Sequence, residues 1–137
     1  MGRNDLKEGT RTHNRTTLSS RSDSPTRARS VCRSFLSSLD PPMEDEAASA
    51  VELVVSELVT NTVRHARGTV CTLDLEVTPE AVAVLVHDDD PTPPQERTPD
   101  LTGGTGGFGW PMVVTLASDV TVKTTAHGKT ICALLSR

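Results

Sequence analysis

The chain has 137 residues, a formal net charge of −4 and an aromatic content of 2%, which fits one domain built on a single core. No apolar run reaches the roughly 18 residues of a membrane-spanning helix, and the N-terminus carries Arg and Lys without the apolar segment of a secretory signal. Charge is unevenly spread: residues 1–33 hold eight Arg or Lys against three acids, and residues 34–137 hold six against fifteen.

In chain order, residues 1–20 read as a flexible basic leader, with a possible first strand from Asn14 to Ser20. The leader has no aromatic side chain on which to stack a base, so nucleic-acid binding is not expected. Residues 21–137 read as one domain. Ser24-Pro25 marks a helix start, with Ser24 as N-cap and Pro at the first helical position. Ala28, Val31, Cys32, Phe35, Leu36 and Leu39 follow at helical spacing until Pro41-Pro42. Glu44, Asp45 and Glu46 suit the positive end of a second helix, which runs to about Ala66 and closes at Gly68. Strands are predicted over 69–77 and 81–88, joined at Thr78-Pro79-Glu80.

Residues 89–100 form a loop rich in Pro, Asp and Thr, followed by five of the nine glycines, at 103, 104, 106, 107 and 109. A third helix spans Trp110 to Ser118, with Met112, Val113 and Leu116 inside. Two last strands, 119–125 and 129–136, turn at His127-Gly128. This order predicts an α+β two-layer sandwich, about three helices on one face of a mixed, mostly antiparallel sheet. Cys32, Cys71 and Cys132 lie in apolar segments without metal-ligand spacing and read as reduced, buried thiols of a cytoplasmic protein.

The polar residues of the second helix carry the functional signal. With Glu57 as origin, Asn61 falls about 40° and His65 about 80° round the helix, at the edge of the sector of Val51, Val54, Val55, Leu58 and Ala66. A half-buried amide needs a partner, although a solvated Glu57 and a loop-bonded Asn61 also fit the spacing. In the strand 81–88, Asp88 shares a face with Val82, Val84 and Val86, so a carboxylate ends an apolar row. Such a group can read an exocyclic N–H or cap the following turn.

Two motif matches fail on context. Gly104-x-Gly106-x-x-Gly109 follows a proline-rich loop and no βαβ unit. Gly128-Lys129-Thr130 ends like a phosphate-binding loop, but Lys123 stands where its first glycine belongs. Ser56 lies about 100° from Glu57 on the helix, and no Ser-His-Asp order is suggested.

Glu57-Leu58-Val59-Thr60-Asn61, followed by Arg64-His65-Ala66, resembles the N-box of the GHKL (Bergerat-fold) ATP-binding superfamily, and most of all its compact anti-sigma factor serine/threonine kinases. The resemblance covers about residues 20–136. It implies ATP and Mg²⁺ as cofactors, with Asn61 coordinating the metal and Glu57 as general base toward the acceptor hydroxyl or water. It makes Asp88 the acceptor of the adenine amino group. It makes Gly104, Gly106, Gly107 and Gly109 a phosphate lid running into a helix, and sets Thr130 and His65 near the phosphates or the lid. Asp90 and Thr92 stand where the family's Asp box has glycines. The function implied is an anti-sigma factor with serine/threonine kinase activity on a STAS-domain antagonist. Its partners would be a sigma factor and that antagonist, in a possible homodimer. The alternative is a non-catalytic ATP-sensing module that sequesters a partner.

Overall fold

Alternating apolar residues make each central strand two-faced, and among the described residues the helices cover one of those faces. The computed structural model describes residues 12–19, 23–65, 70–90 and 109–137. Their elements are β1 (Thr12–Ser19), α1 (Ser24–Ser37), α2 (Asp45–His65), β2 (Val70–Val77), β3 (Ala81–Asp88), α3 (Gly109–Leu116), β4 (Asp119–Thr125) and β5 (Gly128–Ser136). The five strands form one sheet in the order β1-β2-β3-β5-β4, and all four pairings are antiparallel. The architecture is therefore the expected α+β sandwich.

Register sets what each face carries. Leu73, Leu75 and Val77 of β2 pair with Val86, Val84 and Val82 of β3, which pair in turn with Ile131, Ala133 and Leu135 of β5. These nine side chains are buried and meet the stripe Val51, Val54, Val55, Leu58 and Val59 of α2. α1 adds Ala28, Cys32 and Leu36, one turn apart and buried. Between the two helices Arg33 donates to Glu52 Oε1 at 2.9 Å, an exposed pair that contributes little.

Several local expectations need correction. The N-cap of α1 is Asp23, and Ser24 instead lies inside the helix with its hydroxyl donated to the Ser19 carbonyl. α1 ends at Ser37, before the prolines, where the Ser38 N–H reaches the carbonyls of Ser34 and Phe35. α3 stops two residues early and leaves Leu116 exposed, with Val113 its buried anchor. Cys132 is half-buried on the uncovered face, whereas Cys32 and Cys71 are buried free thiols. The leader up to residue 11, Ala66, Gly68 and the run 91–108 lie outside the described residues. No described helix is long and apolar enough to cross a membrane.

Candidate functional site

β3 ends in Asp88, and its position in the alternation turns the carboxylate under α2. The Asp88 side chain is fully buried. Thr62 of α2, itself buried, donates its hydroxyl to Asp88 Oδ2 at 3.4 Å. The Asp90 N–H donates to Oδ1 at 2.8 Å. Lys129 of β5, the register partner of Asp88, brings Nζ to 3.0 Å from both oxygens. The same ammonium donates to the Asp90 carbonyl at 3.0 Å. Three donor groups thus surround the carboxylate, with the ammonium bridging its two oxygens.

Close backbone approach holds this corner together. A Cβ on Gly128 would overlap the Asp88 carbonyl oxygen, so β5 can start here only with glycine. Cys71 is the partner of Asp88 on the other flank. Burial pushes its thiol up to about 11, with the Asp88 charge adding to the effect, so it stays protonated.

α2 carries the other candidates. Glu57 and Asn61 are both half-buried at the edge of the buried stripe. Burial raises the Glu57 carboxyl above the ordinary carboxylate range, and the Arg64 charge partly offsets the rise. His65 is the last residue of α2 and Gly109 the first of α3, while Gly104, Gly106 and Gly107 lie outside the described residues. α3 packs against α2, so Gly109 lies at the start of an element of the same helix layer.

Thr130 is not brought to Asp88. One residue after Lys129, it faces the uncovered side, where its hydroxyl lies 2.6 Å from His87 Nδ1. His87 Nε2 is 2.9 Å from Asp74 Oδ2, and Arg15 donates to both Asp74 oxygens, at 2.7 and 3.0 Å. His13 adds a contact at 3.3 Å. Burial pushes the Asp74 carboxyl up, but the hydrogen bonds and charges of Arg15 and His87 outweigh it and hold the group below its ordinary range. The two faces of β3 thus carry separate networks, one on Asp88 and one on Asp74. A cleft of about 660 Å³ at the opposite end of the sheet, lined by Leu39, Pro42, Met43, Val77 and Arg137 among others, contains none of these residues.

Sequence reasoning missed Thr62 and Lys129, and both were signalled. On the wheel used above Thr62 falls at about 140°, between Leu58 and Val55. Lys129 continues the in-facing series Ile131, Ala133 and Leu135 two residues back.

A buried carboxylate ending an inner strand, under a helix that carries Glu and Asn one turn apart, on an open antiparallel sheet, defines a GHKL-type fold. The chain belongs to the histidine kinase-like ATPase domain family, whose model matches residues 18–135. No curated protein matches it. Among solved structures it is similar to the RsbU and RsbW domains of Rv1364c from Mycobacterium tuberculosis, with a TM-score of 0.65 and 19% identity over 92% of this chain. It spans 33% of that longer chain, a likeness of fold. The histidine kinase domain of a blue-light activated histidine kinase from Erythrobacter litoralis EL346 also matches, with 22% identity over 66% of this chain and 44% of that one. Its TM-score is 0.42. ATP is the ligand that membership of an ATPase domain family implies.

Proposed function

We propose that the chain is an anti-sigma factor and ATP-dependent serine/threonine kinase that phosphorylates a STAS-domain antagonist. One observation carries this reading: the fully buried Asp88 carboxylate lies under Thr62, on the same helix as Glu57 and Asn61. The donor set suits Mg-ATP. A carboxylate beside a hydroxyl can accept the amino edge of adenine, and the Asn61 amide oxygen is a ligand of the type Mg²⁺ takes. ATP supplies the phosphoryl donor, so catalysis rests on positioning and charge neutralisation. Glu57 accepts the proton of the attacking hydroxyl, and its raised carboxyl makes it a stronger base than a solvated glutamate. The glycines 104, 106, 107 and 109 give backbone N–H groups room to approach phosphate oxygens.

The match to a structure containing an RsbW domain supports the partner-switching part of the proposal. A second reading, a non-catalytic ATP-sensing module, draws on Asp90 and Thr92 in place of glycines and on the Lys129 contact to Asp88. Titration calorimetry of Mg-ATP into the wild type and Asn61→Ala is the first test, with saturable binding expected only in the wild type. Transfer from labelled ATP to a purified STAS antagonist, abolished by Glu57→Gln, separates the two readings. Binding without transfer would leave the sensing module, and absence of binding at millimolar ATP would overturn both.

A further inference from the structure

Both oxygens of the buried Asp88 carboxylate are already engaged. Oδ1 receives Lys129 Nζ at 3.0 Å and the Asp90 N–H at 2.8 Å; Oδ2 receives Lys129 Nζ at 3.0 Å and the Thr62 hydroxyl at 3.4 Å. Lys129 is committed to the same corner: its ammonium donates to Asp88 Oδ1 and to the Asp90 carbonyl, and it lies 3.0 Å from Oδ2, bridging the carboxylate. Both side chains are buried, Lys129 with 6% of its side chain exposed. An arriving exocyclic amino group can bond this carboxylate only by displacing a donor.

Of the donors present, two are fixed by the backbone or a helix. The Asp90 N–H belongs to the chain just after β3, and Thr62 is anchored in the buried face of α2. The lysine ammonium ends a flexible four-carbon stem with rotatable donors, so it is the donor that can leave. We propose that Lys129 is an internal plug of the base pocket, occupying the acceptor that the nucleotide base must take. It acts as a specificity and gating residue: nucleotide binds only to the fraction of molecules in which Lys129 has swung off Asp88. Apparent affinity is lowered by that fraction. The inference rests on the nucleotide reading given above.

The predicted sign runs against simple electrostatics. Removing a cation near a polyanion site ordinarily weakens binding. Here Lys129→Met, which keeps the stem and deletes the ammonium, is expected to tighten it. One hydrogen bond to a charged group corresponds to a gain of roughly tenfold or more in the Kd of Mg-ATP. Lys129→Thr carries the same expectation and keeps a small donor for the carboxylate, should the unpaired Asp88 prevent the Met variant from folding.

The experiment is calorimetric titration of Mg-ATP into wild type, Lys129→Met and Lys129→Thr, each with and without Asn61→Ala, after circular dichroism has confirmed the folded state. Tighter binding in either folded Lys129 variant, abolished by Asn61→Ala, supports the plug. Wild-type binding that depends on Asn61, unchanged or weaker without the ammonium, overturns the plug and leaves the nucleotide site standing. No binding in any protein at millimolar ATP overturns the nucleotide reading, and the plug falls with it.

Discussion

Glu57 shows how one half-buried side chain couples stability to chemistry. Its carboxyl is raised because burial disfavours the charged form, with Arg64 compensating only in part. The folded state therefore holds the proton more tightly than the unfolded chain. The stability this contributes is fully present below the unfolded value of about 4.3, and it is lost as pH rises through the raised folded value. At neutral pH the ionised group opposes folding, so Glu57→Gln is expected to raise the melting temperature while abolishing transfer. Calorimetric scanning at pH 7 checks the first part, and a lowered melting temperature would contradict it. The acid limb of the wild-type pH–rate profile should lie above the range of a solvated glutamate. A limb at ordinary carboxylate pH would remove Glu57 as the base. Thr62 gives a smaller effect: Thr62→Val keeps the shape but deletes a long hydrogen bond to Asp88. A loss near ~1 kcal/mol in urea unfolding is expected, and an unchanged midpoint would mean the contact contributes nothing.

At the scale of elements, the uncovered face of the sheet is held by Asp74. β1 is an edge strand, and its outward residues Arg15 and His13 converge on this one carboxylate from β2, with His87 of β3 on its other side. The carboxyl is held below its ordinary range, so its contribution is present above the unfolded value of about 3.9 and disappears as pH falls through the lower folded value. Asp74→Asn should destabilise the wild type at neutral pH by roughly 1–2 kcal/mol, with the gap closing in strongly acidic buffer. Amide exchange should quicken first in β1, which depends on this anchor. Equal exchange rates in β1 of both proteins would show that main-chain pairing alone holds the edge.

Elements were also where sequence and structure agreed best. The apolar stripe of α2 and the alternation in β3 are local periodicities, and both survive folding because each buries one continuous face. Thr130 shows what local pattern cannot supply. A tripeptide beginning at Gly128 drew attention to the threonine, yet a strand turns each successive residue to the other side. Register against β3 gave the inner position to Lys129. The Asp74 network was equally hidden, because its partners Arg15 and Asp74 lie 59 residues apart. The glycine run 103–109 was the plainest motif in the chain, and four of its five glycines fall outside the described residues.

Across the whole molecule, the covered face of the sheet is an apolar core whose rim, at one end of β3 and β5, becomes the Asp88 site. Core and site share α2, since Leu58 and Val59 are buried directly between Glu57 and Asn61 in sequence. Ligand bound at that rim should therefore stabilise the entire domain. At a free Mg-ATP concentration near 100 times Kd, mass action adds about 2.7 kcal/mol to the folded state. For a chain of this length that corresponds to a rise in Tm on the order of 8–14 °C. Wild type with Mg-ATP should melt cooperatively at the higher temperature; removing Mg²⁺ with a chelator, or substituting Asn61→Ala, should return it to the unliganded value. Gly128→Ala tests the same coupling from the other side, because a Cβ there collides with the Asp88 backbone. It should lower the unliganded Tm and diminish the ATP-dependent rise together. A variant that melted early yet kept the full nucleotide shift would separate the corner formed by Gly128 and Asp88 from the binding site.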